Sequence, residues 1–194
     1  MPRCGVSRLE ETMQNSESLS RRSFLQAAVT APIIHGHGRI APPILLPGIK
    51  IVRQDGVSST LLQLVKGRAT ALQLMFTSCT TTCPIEAAIF ERVQKMLPGM
   101  AKRGLQLLSL SNDPQNDTPK ALAAWRRRFH AGPNWIAAAP AVSDLAKLNE
   151  IFGKGSDSAD HSTQVQMVDR EGRLVWRTFE LPRPEEIAEI LQKM

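Results

Sequence analysis

The run Ala71-Leu72-Gln73-Leu74-Met75-Phe76 constrains the fold more than any other feature of the chain. It is apolar at almost every position rather than at alternate ones, so a strand built from it needs cover on both faces. Such a strand belongs at the centre of a sheet with helices packed on it, an α/β arrangement. The downstream sequence agrees. After Thr77–Thr82 the chain turns, and from Pro84 the residues Ile85, Ile89, Val93, Met96 and Leu97 recur at helical spacing until Pro98-Gly99. Leu105–Leu110 is the next strand, broken by Asn112-Asp113-Pro114. Thr118-Pro119 has the form of an N-cap followed by proline in the first turn, opening a helix through Leu122, Trp125 and Phe129.

Trp135–Ala139 is a further strand, and Ser143 or Asp144 caps a helix over Leu145, Leu148, Ile151 and Phe152 that Gly153 closes. A polar loop, Lys154–Asp160, leads to Val165–Val168 and Leu174–Trp176, which flank Asp169-Arg170-Glu171-Gly172 as a hairpin. Pro184 opens a terminal helix over Ile187, Ile190 and Leu191. Upstream, Asp55-Gly56 marks a turn between short strand-like runs, and the proline-rich residues 39–49 are expected to form an extended linker. The order of elements predicts a mixed sheet. His130 stands at a helix end as a capping residue, and Met75, Met96 and Met167 fall on packing positions.

The chain has 194 residues, 42% of them apolar, enough for one domain with a real core and an additional segment. No apolar run approaches the roughly 18 residues that a membrane-crossing helix needs. Residues 1–41 form that additional segment. Within them Ser20-Arg21-Arg22-Ser23-Phe24-Leu25-Gln26 precedes a short apolar stretch to Ile34, which is the order of a targeting signal. The paired arginines resemble the twin-arginine export signal, which implies passage through the twin-arginine translocase to the bacterial periplasm. A retained signal acting as a membrane anchor is the alternative. The formal charge of +6 describes a mildly basic surface. Arg126, Arg127 and Arg128 are its densest cluster, and no aromatic ladder or nucleic-acid motif accompanies them, so no nucleic-acid partner is expected.

Removal of the leader, residues 1–41, takes Cys4 with it and leaves Cys79 and Cys83 in the domain, residues 42–194. Cys79-Thr80-Thr81-Thr82-Cys83-Pro84 lies where the buried strand gives way to a helix. The unpaired N–H groups and positive dipole end of a first helical turn favour thiolate, the form that attacks disulfides and binds metal. Two soft sulfurs suit Cu(I), and an added imidazole would let the site hold Cu(II). A structural zinc site or an iron–sulfur cluster would need further cysteines that the domain lacks. An inert disulfide closing one turn is the bland alternative.

Phe76-Thr77-Ser78-Cys79-Thr80-Thr81-Thr82-Cys83-Pro84 resembles the signature of the SCO/SenC family. Ser111-Asn112-Asp113-Pro114-Gln115-Asn116-Asp117-Thr118-Pro119 is similar to a second family segment, and Asp160-His161-Ser162 to a third. The resemblance runs from about Pro47 to the end. It implies a thioredoxin-like fold with an inserted hairpin, copper as Cu(I) or Cu(II), and Cys79, Cys83 and His161 as its ligands. The two cysteines double as redox thiols. It also implies a client: the binuclear copper centre of a respiratory oxidase, or another copper enzyme, that receives copper or has its thiols reduced. Asp160 would orient the histidine loop or stand in solvent, and Asp113 and Asp117 would shape a loop and a helix start. Thr80 stands where many members have proline. His35 and His37 are expected to leave with the signal, a copper tether being the alternative. Thiol–disulfide oxidoreductase is the competing function, and a peroxiredoxin-like peroxidase the weakest, because the residues before Cys79 lack the peroxidatic pattern.

Overall fold

The computed structural model describes Met1 and residues 37–152 and 163–194. The twin-arginine segment, His35, the polar loop from Gly153 and Asp160–Ser162 lie outside the described residues. Among the described residues eight strands form a single sheet: β1 (Gly38–Leu45), β2 (Lys50–Arg53), β3 (Ser58–Thr60), β4 (Ala69–Met75), β5 (Leu105–Ser111), β6 (Trp135–Pro140), β7 (Gln164–Val168) and β8 (Arg173–Glu180). Their spatial order is β1-β8-β7-β4-β5-β6-β2-β3. The centre, β4-β5-β6, is parallel, and every other pairing is antiparallel. All residues of β4, β5 and β6 are buried, as strands covered on both faces must be. The α/β class with a mixed, helix-flanked sheet stands.

Three helices cover one face of the sheet: α2 (Thr82–Met96), α3 (Pro119–Arg128) and α5 (Pro184–Lys193). Phe90 of α2, Trp125 of α3 and Trp135 of β6 meet there in edge-on contacts of 5.6 and 5.7 Å. The Trp135 indole N–H donates to Ser109 Oγ at 2.8 Å, so the ring is buried without an orphaned donor. The short α1 (Leu61–Val65) and α4 (Leu145–Phe152), the latter preceded by a 3-10 turn at Val142–Asp144, join Ile40, Leu46 and Ile49 over the other face. Thr118 caps α3 through its hydroxyl, 3.2 Å from the Ala121 N–H, with Pro119 next. His130 follows the end of α3 with φ of 52°, its ring 3.4 Å from Glu91.

Several local readings are corrected. Residues 39–49 are not a free linker: Gly38–Leu45 is an edge strand paired with β8, so Gly38–Ala41 belong to the sheet rather than to a leader. Pro42 and Pro43 are tolerated because they fall on an edge, where the register slips between Arg39 and Ile44. Helix α1 has no apolar period long enough to announce it; a reciprocal capping box between Thr60 and Gln63 starts it. Ile85 and Met96, expected in the core, are 50% and 42% exposed. A period of 3.6 marks a stripe but does not set how wide its neighbours cover it.

Strand directions assign each turn to one end of the sheet. The C-terminal ends of β4, β5 and β8 and the N-termini of β1 and β7 share the end that carries the cysteines. The α1–β4, α2–β5 and β7–β8 connections lie at the other.

Candidate metal and thiol centre

Both cysteines are held by the passage from β4 into α2. The Cys79 N–H donates to the Phe76 carbonyl at 3.1 Å, closing a tight turn. Behind that turn stands Asp117, 2% exposed, whose carboxylate accepts from the Thr77 N–H at 3.1 Å, the Thr77 hydroxyl at 2.6 Å and the Ser111 hydroxyl at 2.6 Å. Ser111 Oγ accepts in turn from the Asp113 N–H at 2.9 Å. Asp113 shapes its own loop, accepting from the Asn116 side chain. Asp117 therefore does more than mark a helix start. It fastens the end of β4 to the end of β5 and fixes where the cysteine loop begins. A carboxylate one residue before a Thr-Pro helix start was visible in the sequence, but its partner 40 residues away was not.

Helix α2 begins without an ordinary cap. Thr81 occupies the capping position, yet its side chain makes no capping bond. The Cys79 sulfur takes that place, accepting the Cys83 N–H at 3.4 Å, with the Thr81 and Thr82 hydroxyls at 3.8 and 3.9 Å. A sulfur at the positive end of a helix is stabilised as thiolate. Burial pushes the Cys79 thiol up, but the hydrogen bonds from the Cys83 thiol and N–H and from Thr81 outweigh it and bring it down to about 6. Cys83 is driven the other way. Burial, the Cys79 sulfur to which it donates, and the Glu86 carboxylate one turn on raise it to about 12 against the opposing Phe76 backbone. Both are free thiols, 6% and 3% exposed. The pair thus combines a ready thiolate with a protonated neighbour. Among the described residues no group of three or more His, Cys, Asp or Glu side chains converges.

A family model described as SCO1/SenC matches residues 50–194. The chain belongs to the SCO1/SenC family. The SCO1 protein homolog of Bacillus subtilis (strain 168) is 32% identical over 131 residues, 63% of this chain and 67% of the relative. A Stutzerimonas stutzeri relative is 29% identical over 139 residues, and the match spans 66% of its length. Among solved structures, the copper-bound ScoI of Bradyrhizobium japonicum superposes with a TM-score of 0.59 at 23% identity, over 77% of this chain and 98% of that one. BsSco, studied for a disulfide switch and described as one of the Sco family of cytochrome c oxidase assembly proteins, gives 0.65 at 22%, over 78% and 93%. These likenesses establish the fold, including its thioredoxin-like character.

Within this SCO1/SenC fold the remaining expectations divide. Cys79 and Cys83 are brought together, while Asp160 and His161 lie outside the described residues. The chain re-enters the described structure at Thr163, whose N–H and hydroxyl donate to the Glu180 carboxylate and whose Oγ accepts the Leu181 N–H at 2.9 Å. Gln166 pairs with Leu72 and β7 runs antiparallel to β4, so Thr163 stands at the cysteine end of the sheet. His37 is present beside β1, its ring stacked on Phe179 with centroids 3.5 Å apart at that same end. Met75 and Met167 are fully buried packing residues, as expected.

Proposed function

We propose that this protein is a copper carrier of the bacterial periplasm, taking copper as cargo on Cys79, Cys83 and His161. It would deliver that copper to the binuclear centre of a respiratory oxidase or to another copper enzyme. The observation that carries the reading is the sulfur of Cys79 serving as the cap of α2: a preformed thiolate beside a second thiol is a soft, two-coordinate seat for Cu(I). Binding copper there displaces the Cys83 proton, so uptake releases acid. His161 lies two residues before Thr163, the point at which the chain returns to the cysteine end, which supports it as the third ligand. An imidazole adds the borderline donor that Cu(II) prefers. Residues 1–36, with Arg21-Arg22, are read as the leader recognised by the twin-arginine translocase. The domain proper starts with β1.

The pKa divergence favours a second reading, thiol–disulfide exchange with a client. The Cys79 thiolate attacks one sulfur of the client disulfide and the other leaves as a thiolate. Cys83 then loses its proton and attacks Cys79, freeing the second client thiol and leaving a Cys79–Cys83 disulfide. Two electrons pass to the client, and an external dithiol must restore the pair. The deciding experiment is copper content of the reduced protein, with His161→Ala alongside. One copper per chain, with the Cu(II) spectrum lost and Cu(I) retained in His161→Ala, is the result expected of the carrier. Rapid disulfide reduction without copper uptake establishes the second reading instead.

A further inference from the structure

The end of the molecule opposite the cysteines carries an excess of positive charge that no ion pair among the described residues neutralises. Lys66 and Arg68 flank the α1–β4 turn, Lys102 and Arg103 sit in the α2–β5 connection, and Arg127 and Arg128 end α3; all are exposed. The parallel arrangement of β4, β5 and β6 puts these connections at one pole. Carboxylates near it are already matched: Asp55 with Arg53 at 2.7 Å, Glu91 with Lys95 at 2.7 Å, Asp169 and Glu171 with Arg173 at 2.8 and 3.0 Å, Glu189 with Lys193 at 2.5 Å. Lys66, Arg68, Lys102, Arg103, Arg127 and Arg128 join no ion pair among the described residues. Arg68 donates to the neutral Gln106 amide.

Single apolar side chains project among these charges, two of them from other connections. Leu45 at the end of β1, Val57 in the β2–β3 turn and Met96 at the end of α2 are 59%, 51% and 42% exposed. They are scattered rather than joined, so they do not make the contiguous apolar centre of a protein interface. Cations spread over several turns with isolated apolar tips between them match a different surface, the headgroup layer of an anionic bilayer. We propose that this pole rests on anionic phospholipid, leaving the cysteine end pointing away from the membrane toward its client. Chain direction makes the orientation specific. Strand β1 enters at the cysteine end, so a leader held in the bilayer would draw that end toward the lipid; the proposal applies to the chain with its leader removed or unbound.

The test is co-sedimentation of the full chain with vesicles of phosphatidylglycerol and phosphatidylcholine, and with vesicles of phosphatidylcholine alone. Each cation at such a surface raises partition about five-fold, so several substitutions together are expected to lower it by roughly two to three orders of magnitude. The pole variant combines Lys102→Gln, Arg103→Gln, Arg127→Gln and Arg128→Gln; the matched control combines Arg39→Gln, Lys50→Gln, Lys120→Gln and Arg183→Gln at the cysteine end. Both contain the same leader and lose the same net charge, and circular dichroism checks that both fold. The expected result is binding to phosphatidylglycerol vesicles that falls steeply with salt, is lost in the pole variant and survives in the control. Equal binding by wild type and pole variant, equal loss in both variants, binding to phosphatidylcholine alone, or no vesicle binding at all overturns it. Salt-sensitive binding of the pole to an acidic protein but not to vesicles also overturns it.

Discussion

The two ends of this sheet hold their charges in opposite ways. At the cysteine end, the charges that build the site are buried and shared: the Asp117 carboxylate is enclosed by donors from Thr77, just past β4, and Ser111 at the end of β5, and the Cys79 sulfur caps the first turn of α2. At the opposite pole, charge is exposed, paired along short sequence separations or not paired at all. Low dielectric makes each interaction at the first end strong and each unmet group costly. Solvent and salt weaken those at the second. The contrast separates a preorganised chemical site from a surface tuned for association, and it can be tested by perturbing each end.

The largest effect is expected at the sulfurs. Cys79→Ser or Cys83→Ser removes one of two soft ligands, and copper affinity should fall by more than about a hundred-fold, read by competition with a Cu(I) chelator. Copper retained at wild-type affinity by either variant would break the site assignment. Next comes the acidity of Cys79. With its thiol near 6, alkylation by iodoacetamide should be half-maximal close to pH 6, fall away below as the sulfur is protonated, and be flat from pH 7 to 8. An unperturbed thiol near 9.0 would still be gaining rate across that interval. Cys83, raised to about 12, should stay unmodified over the same range.

Asp117→Ala comes third. It strands the Thr77 N–H and the hydroxyls of Thr77 and Ser111 in a buried place, and should cost about 3 kcal/mol in urea denaturation while loosening copper binding. At the opposite pole Arg173→Ala breaks solvent-screened contacts to Asp169 and Glu171, and a far smaller loss, close to the wild-type midpoint, is expected from the same measurement. Similar costs for the two variants would erase the distinction between the ends.

Much of the architecture was legible before any coordinates because its causes are local. An all-apolar run such as Ala71–Phe76 has to be a covered strand, Thr118-Pro119 has to start a helix, and Asp169–Gly172 joins β7 to β8 as a turn. The cysteine spacing at a strand-to-helix junction likewise placed two sulfurs together without knowledge of their neighbours. Less was visible wherever a residue's part depends on an element distant in the chain. The prolines of residues 39–49 suggested a linker, but pairing with β8 makes them an edge strand. Ile85 and Met96 kept helical spacing yet face solvent, since the neighbouring elements do not reach far enough around α2 to cover them.

By itself, then, the sequence determined an α/β sheet, a pair of thiols at the start of a helix and family membership, because periodicity, capping and motif spacing act over a few residues. Only the tertiary structure decided which thiol is the acid. Cys79 and Cys83 are the same residue type one helical turn apart, and only the position of one sulfur under the helix N-terminus, with the other buried beside Glu86, drives them to about 6 and about 12. The same holds for Asp117, whose partners lie at the ends of two separate strands, and for the basic pole, whose residues meet only because the parallel strands carry their turns to one end. Burial and long-range hydrogen bonding are properties of the packed molecule, so no reading of neighbours along the chain contains them.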